Sequence, residues 1–592
     1  MNARIPSEEK PWLKYFAEGA RDESLKTSET KTLWQFMEKR LREHGDKFPA
    51  LRYFGRDIKR SEVIENVELW ARAFRGMGVE PDEHVIFYTP FTPEVVYMLF
   101  ALNKIGACPV FLNMTASPEA LTESVAGCRF AVVLDGAEEG IAHVLRQAEM
   151  FQAVIYIEAA TCMPFPINKL VSLTVLGKRR RTLASATNYI RSKDALKRWS
   201  GYEGATDAEP KPGRHALITA SSGTSQSGYA KLIIDTNESV LAMFRQTEYA
   251  ESVISQYQPG SLCFTSLPPF ISTCMFTLFL CPLSRGCTCL IEPRFSIERV
   301  KNGIINNKAN INFTVGRVWL MICHQLDEEM KRGKKPDMSF LRMNIMGGEG
   351  VSPKELEWLN GVLRKCGSPV PVTSGYGLSE VFSVMSIDYE YAQKDYMEGN
   401  PRKVISVGAP LPGVIASIQD ADGNELTYGE RGELCVKATT QMEGYLHQEE
   451  LTEYVFRGGW YHTGALCEMD ENGHIYHYCR MSDFFTYNGR NIYPIDLDIA
   501  LRSHGDIQNA VMAVIPSGEG SYRLFAHLYP EPEHVIDRKR LASELDGIMS
   551  GILPEGLSIE GYKLHNDPIL LSPLGKSDRR LYNSDTEGFF RS

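Results

Sequence analysis

Two stretches of this sequence carry the residue types needed to hold and neutralise a polyanion. Ser221-Ser222-Gly223-Thr224-Ser225-Gln226-Ser227-Gly228-Tyr229-Ala230-Lys231 is a glycine- and hydroxyl-rich run that ends in a lysine. Glycines let backbone N–H groups turn inward around phosphate oxygens, hydroxyls add donors and the lysine adds charge. A flexible linker has the same composition, and the Walker spacing GxxxxGK[ST] is absent. Far along the chain, Ser572-Pro573-Leu574-Gly575-Lys576-Ser577 sets a second lysine on a tight glycine turn. Together the two suggest a grip on a nucleotide triphosphate and a second positive charge delivered from a distance.

Weaker signals lie between them. In Ser374-Gly375-Tyr376-Gly377-Leu378-Ser379-Glu380, glycines flank a tyrosine whose ring can lie against something planar, and the carboxylate four residues on can hold Mg²⁺. A turn between a strand and a helix reads the same way. Tyr461-His462-Thr463-Gly464-Ala465, Arg480-Met481-Ser482-Asp483 and Asn488 to Asp498 follow. Each is weak alone; their order and spacing are not.

The elements that must carry these residues are those of an α/β protein. Val85-Ile86-Phe87-Tyr88 reads as a buried strand. Thr92-Pro93-Glu94 then opens a helix with a capping hydroxyl, a proline in the first turn and an acid near the positive end of the dipole. Val95, Val96, Leu99, Leu102 and Ile105 form its apolar stripe and Gly106 ends it. Strands are expected at 109–112, 131–134 and 153–157, a rhythm that builds a largely parallel sheet. Strand–helix–strand resumes over 260–292. From 404 to 480 short strands with glycine turns predict a small antiparallel subdomain. The chain after Arg480 is large enough for a separate domain.

Composition narrows the class. With 592 residues, two or more domains are expected. A net charge of -10 and a pI near 5.8 argue against nucleic acid as a partner. The one basic run, Lys178 to Arg181, reads as a solvated loop or helix start. The 13 cysteines show no CxxC pair and no histidine at metal spacing, so Cys281, Cys287 and Cys289 read as small core residues rather than disulfide or zinc ligands. The charged N-terminus is not a signal peptide, no apolar stretch is long enough for a transmembrane segment, and a cytoplasmic location is expected.

Taken in order, these motifs resemble the ANL superfamily of adenylate-forming enzymes: acyl-CoA synthetases, adenylation domains of peptide synthetases and luciferases. The similarity runs over roughly residues 30–585. It includes the Ser/Thr/Gly loop, Leu267-Pro268-Pro269-Phe270, Gly347-Gly348-Glu349, Tyr376 to Glu380, Gly432-Glu433-Leu434, Gly444-Tyr445-Leu446, the segment after Arg480 and the Lys576 turn. The resemblance implies a large N-terminal AMP-binding domain, residues 1–481, with mixed and parallel sheets and the 404–480 subdomain. It also implies a smaller mobile α+β domain, residues 482–592. It implies ATP, Mg²⁺ and CoA (or carrier-protein phosphopantetheine) as cofactors, and a small carboxylic acid as substrate.

By motif, Ser222, Gly223, Thr224 and Lys231 fall in the phosphate loop, with Thr224 and Lys231 on the β- and γ-phosphates. Gly348 and Glu349 line adenine, Tyr376 stacks on it and Ser379 touches the α-phosphate. Glu380 binds Mg²⁺, with Thr224 assigned beside it. Arg480 contacts ribose or phosphate, Ser482 sits at a hinge, and Lys576 bridges the α-phosphate and the attacking carboxylate. The catalytic set is thus Lys576, Glu380, Ser379 and Lys231.

The chain departs from the family at several positions. Ala465 stands where relatives carry an aspartate that accepts hydrogen bonds from both ribose hydroxyls. Such charge-assisted bonds contribute about 1.5–3 kcal/mol each, so nucleotide affinity would fall on the order of 10²-fold. Glu468 is the nearest carboxylate that could take its place. Gln226 and Ser227 insert into the phosphate loop and Ala230 replaces its proline. Phe270-Ile271 replaces an aromatic–histidine pair, and Asp496 and Asp498 replace glutamates. The expected activity is an acyl-CoA synthetase. A stand-alone enzyme loading a separate carrier protein, and a degenerate relative that binds nucleotide or acyl ligand without turnover, are the alternatives. Phe270, Trp319 and Met346 are expected in an acid pocket, tilting weakly toward a fatty or aromatic acid.

Overall fold

The computed structural model describes residues 4–16, 31–135, 138–141, 144, 151–171, 188–221, 231–250, 256–294, 296–348, 351–383, 385–386, 402, 404–518, 520–531, 534–566, 579–585 and 587–591. Ser222, Gly223, Thr224, Glu349, Lys576 and the basic run 178–181 lie outside the described residues.

The α/β expectation holds. The first sheet is built from β1 (His84–Tyr88), β2 (Cys108–Phe111), β3 (Phe130–Leu134), β4 (Ala153–Ile157), β5 (Tyr189–Arg191), β6 (His215–Ala220) and β7 (Leu232–Thr236). Their order is β7-β6-β2-β1-β3-β4-β5, all parallel except β7, which runs antiparallel to β6. β6 and β7 pair as a hairpin on either side of the Ser/Thr/Gly run. Its base is closed by Ser221 N donating to Lys231 O at 2.9 Å. Parallel strands buried on both faces need continuous apolar runs, which β1 to β4 supply.

A helix, α1 (Pro93–Lys104), crosses between β1 and β2, with Thr92 Oγ1 accepting from Val95 N. A stripe of five apolar residues predicts one buried face. Instead every residue of α1 is buried. The helix is sandwiched, and its polar residues find internal partners. Asn103 Oδ1 accepts from Trp34 N at 2.8 Å, and its Nδ2 donates to Asn237 Oδ1 at 3.0 Å. Gly106 is required at its end: φ is +80°, and a Cβ there would lie 2.7 Å from that of Ala208.

A second, seven-stranded sheet has the order 372–374, 343–346, 311–314, 262–265, 288–291, 51–53, 56–58, parallel but for the last hairpin. Next come β8 (Arg431–Ala438), β9 (Gly444–Tyr445), β10 (Tyr461–Met469) and β11 (Ile475–Arg480). β8, β10 and β11 lie in the expected antiparallel subdomain, a six-stranded sheet. β9 leaves it and pairs with β7, Tyr445 opposite Ile233, so the subdomain is stitched to the first sheet. Beyond Arg480, β12 (Ile507–Gly518), β13 (Ser521–Pro530) and β14 (Ile559–Leu564) form a three-stranded sheet with its own core around Leu497, Met512 and Leu545.

Of the residues expected in an acid pocket, Phe270, Trp319 and Met346 are each fully buried, Phe270 in one apolar cluster and the other two in another.

Glu94 is also corrected. It does not serve as a solvated charge on the helix dipole: it is fully buried, with Ser192 Oγ donating to it at 2.9 Å, and burial pushes its carboxyl up to about 8. Its folded value lies above the unfolded one, so its contribution is complete below the ordinary value of 4.5 and is lost as pH rises through about 8. Glu94→Gln is expected to match the parent in stability near pH 5 and exceed it by on the order of a few kcal/mol near pH 9. Thermal and urea unfolding across that range measures it; a pH-independent difference would show that Glu94 is ionised in the folded protein.

Candidate active site

The carboxyl ends of both parallel sheets open toward the same region, the usual place for a ligand in such sheets. In the second sheet, Met346 pairs with Ser374, so Gly347-Gly348 and Gly375-Tyr376 leave adjacent strands at one level. Gly375 N donates to Met346 O at 2.9 Å. Gly347 must lack a side chain: a Cβ would lie 2.4 Å from Phe313 Cζ. Gly348 has φ +80°. No helix follows Tyr376. Gly377–Leu378 and Phe382–Ser383 form a short hairpin, which puts Ser379 and Glu380 at its turn.

The two sheets meet here. Ala220 N, at the end of β6, donates to Phe270 O at 3.0 Å. Two residues on, Ser272 Oγ donates to Ser379 Oγ at 3.0 Å.

The central contact was not foreseen as such. Tyr445 OH donates to Glu380 Oε1 at 2.8 Å, and the Lys231 ammonium lies over the same ring, 5.1 Å from its centroid. One tyrosine therefore holds the lysine of the phosphate loop and the candidate metal carboxylate on two sides of itself. Burial and the Glu380 charge push its phenol well up, so it stays a donor. The neighbouring Tyr461 is raised for the same reasons. Asp235 on β7 is fully buried, both its oxygens lack a hydrogen-bond partner, and burial pushes its carboxyl well up with Glu380 adding to the effect. It is therefore held in its neutral form beside Glu380. The only sequence signal for Tyr445 was the Gly444-Tyr445-Leu446 match, which assigns it no role.

Tyr376 lies 5.4 Å from His477, centroid to centroid, tilted by 33°. Burial, with Arg480 adding to it, pushes His477 down to about 4, leaving a neutral ring. Arg480 is exposed at the end of β11, opposite Ala465 in register. Ala465 belongs to the same apolar cluster that Tyr376 packs against. A carboxylate at 465 would therefore face the tyrosine, and this chain has none.

Glu468 does not replace it. Along β10, Ala465, Cys467 and Met469 share one core, whereas Leu466 sits in another beside Tyr478. Glu468 is on the second face. Its Oε1 accepts from Arg402 at 2.6 Å and its Oε2 from Tyr478 OH at 2.8 Å. Both oxygens are committed.

Of the expected site residues, Lys231, Ser379 and Glu380 converge with Tyr445; Gly348 and Tyr376 leave adjacent strands beside them; Arg480 ends β11 opposite Ala465. Ser222, Gly223, Thr224, Glu349 and Lys576 lie outside the described residues.

A family profile described as AMP-binding enzyme matches residues 37–446. A long-chain-fatty-acid–CoA ligase of Salmonella typhimurium is 24% identical over 475 residues, covering 77% of this chain and 79% of its own. The amide bond synthetase McbA from Marinactinospora thermotolerans superposes with a TM-score of 0.70 at 18% identity, covering 93% of this chain and 99% of its own. The anthranilate CoA ligase AuaEII, in complex with anthranoyl-AMP, gives 0.72 at 17%, covering 93% and 96%. These solved structures share the fold.

Glu468→Ala tests the assignment made to that side chain. It leaves Arg402, largely buried, without its carboxylate, and is expected to destabilise the protein by about 3 kcal/mol while nucleotide affinity at temperatures below unfolding stays within twofold. Denaturation together with nucleotide titration distinguishes this from a ligand-binding role, in which affinity would fall instead.

Proposed function

This chain belongs to the AMP-binding enzyme family, and we propose that it activates a small carboxylic acid with ATP as an acyl adenylate and then passes the acyl group to the thiol of CoA. The observation that carries the reading is the junction of Lys231, Tyr445 and Glu380. Lys231 closes the hydroxyl-rich hairpin, so its charge is available to phosphates lying along that loop. Glu380 is almost fully buried, and its described partner is the neutral donor Tyr445. Among the described residues no cation pairs with it, and a carboxylate so placed fits Mg²⁺, with Thr224 assigned beside it. The metal would supply Lewis-acid neutralisation of phosphate charge.

The remaining roles follow from position. Gly347 and Gly348 keep the second sheet's exit free of side chains where a flat base would lie. Tyr376, tilted on the neutral His477, would be its stacking face. Ser379, oriented by Ser272, would donate to the α-phosphate. The barrier to joining two anions is charge repulsion, which Lys231 and a second lysine offset. We assign the second cation to Lys576, carried on a domain beginning near residue 482. Arg579, three residues on, is held by Asp498 through both oxygens and donates to Met512 O at 2.6 Å. That clamp would anchor the lysine turn to the smaller domain.

CoA is preferred as acceptor because the long-chain-fatty-acid–CoA ligase of Salmonella typhimurium matches along most of both chains. Ala465 favours a second reading, a relative with weakened nucleotide binding and no turnover.

Pyrophosphate exchange into ATP over a panel of carboxylic acids decides between them. Acid-dependent exchange is expected; flat exchange for every acid supports the second reading. Ala465→Asp is expected to lower the KM for ATP about tenfold or more. Tyr445→Phe should cut exchange about tenfold while binding of the acid is unchanged, since it removes one charge-assisted hydrogen bond from Glu380. Unaltered exchange in Tyr445→Phe would remove the junction from the mechanism.

A further inference from the structure

Among the described residues, three clusters of histidine, cysteine and carboxylate side chains lie away from Glu380, each with ligand atoms within 4.8 Å of one another: Glu433, Cys435 and His462; His527, His565 and Asp585; and His84, Cys108 and His215. The first two are already neutralised by protein cations. Arg457 Nη2 lies 3.1 Å from Glu433, and Lys563 Nζ lies 2.7 Å from Asp585. The third has no such occupant among the described residues. Lys211 and Arg214, close in sequence to His215, are both held by Asp82, at 3.1 and 2.9 Å.

The third cluster is also placed by the sheet. β1, β2 and β6 are adjacent and parallel, His84 is in register with Cys108, and Val110 with Ile218. His84, Cys108 and His215 are thus the first residues of three neighbouring strands. His84 Nε2 and His215 Nδ1 stand 3.1 Å apart. Tetrahedral zinc with nitrogen and sulfur ligands separates its donor atoms by roughly 3.3–3.6 Å; the two nitrogens are close to that spacing, and Cys108 Sγ lies within 4.8 Å of a nitrogen on each ring. The other nitrogen of His215, Nε2, faces Glu443 Oε1 at 3.7 Å. A carboxylate behind the far nitrogen is the usual support of a metal-binding imidazole. His215 keeps a quarter of its side chain exposed, which leaves a way in.

We propose that His84, Cys108 and His215 form a binding site for a zinc-class divalent transition metal, supported by Glu443. The ligand set is two imidazoles and one thiolate, suited to Zn²⁺ and excluding Mg²⁺ and Ca²⁺, which take oxygen. On binding, the metal–sulfur bond forms, the Cys108 S–H bond breaks and its proton leaves to solvent. The fourth position goes to water. The site lies at the opposite end of β6 from Ser221, six residues or roughly 20 Å away, so the ion acts as a strut across strand starts. Because Glu443 immediately precedes β9, the strut also reaches the strand that carries Tyr445. The cysteine reading from spacing missed this, since the ligands are brought together by strand pairing and not by sequence proximity.

The test uses the full chain, stripped with a chelator and titrated with Co²⁺ and then Zn²⁺. One Co²⁺ per chain is expected, with a sulfur-to-cobalt charge-transfer band, displaced by one equivalent of Zn²⁺, which raises Tm. Cys108→Ser should abolish the band, His215→Gln should weaken binding at least 100-fold and Glu443→Gln about tenfold or more. Cys435→Ser with His462→Gln should leave all three readouts unchanged. Absence of stoichiometric Co²⁺ binding by the folded parent, a band that survives Cys108→Ser, or one lost with Cys435 and His462 overturns the proposal. If Cys108→Ser does not fold, the partly exposed His215→Gln decides: unchanged affinity overturns it.

Discussion

The arrangement around Glu380 depends on a two-residue strand. β9 pairs with the edge of the first sheet at β7, and only through that pairing does Tyr445 stand between Glu380 and Lys231. The three residues come from a turn after the second sheet, a return segment of the subdomain and the exit of the β6–β7 hairpin. A nearly buried carboxylate and an ammonium would otherwise each need water or a direct partner. An ion pair between them would satisfy both charges and leave neither for a ligand. The intervening phenol separates them: its hydroxyl donates to one and its ring face attracts the other. The junction thus stabilises both charges while leaving each available.

Much of this was legible from sequence, for identifiable reasons. β1 to β4 announce themselves because parallel strands covered on both faces must be continuously apolar. Thr92-Pro93 marks the start of α1 because capping is local chemistry. The glycines at 347 and 348 are legible because a close approach of Phe313 and a positive φ both forbid a side chain. What was not legible depends on packing between distant segments. Glu94 looks like a helix-dipole acid, yet α1 is covered on every side. Phe270, Trp319 and Met346 are apolar in sequence, but which cluster each joins is set only by the packing of distant strands. Tyr445 is one aromatic among 26 tyrosines until a strand pairing aims it.

Position 465 shows how strand parity limits substitution. In β10 the residue facing Tyr376 and the residue three further on lie on opposite faces, so a carboxylate at 468 cannot migrate functionally to 465. Glu468 instead serves the interface between the subdomain and the segment at Arg402. Whatever offsets the absent carboxylate must come from a different strand or from the ligand. Arg480, directly opposite Ala465 in register and exposed, is the charged group nearest in the sheet. Its sign suits phosphate better than a hydroxyl pair. On the proposed reading, nucleotide affinity in this chain leans more on phosphate contacts and less on the sugar.

The contacts on either side of residue 482 bear on how the second lysine would work. Those that cross it are half-exposed ion pairs, Arg431 with Asp496 at 2.8 Å and Lys354 with Glu531 at 3.2 Å, Asn509 against Glu355 at 3.3 Å, and an apolar patch in which Tyr493, Ile495 and Ile499 pack on Val404, Leu466, Tyr476 and Tyr478. Exposed pairs of this kind contribute about 0–1 kcal/mol each. The clamp inside the smaller unit is different in kind: Asp498 is buried, both oxygens are used by Arg579, and breaking such a pair costs about 3–5 kcal/mol. A rotation of residues 482–592 would therefore break the exposed ion pairs and shift the apolar patch while keeping the clamp. The lysine turn would travel as part of a rigid body, arriving for the charge-neutralising step and leaving before a thiol needs the same face.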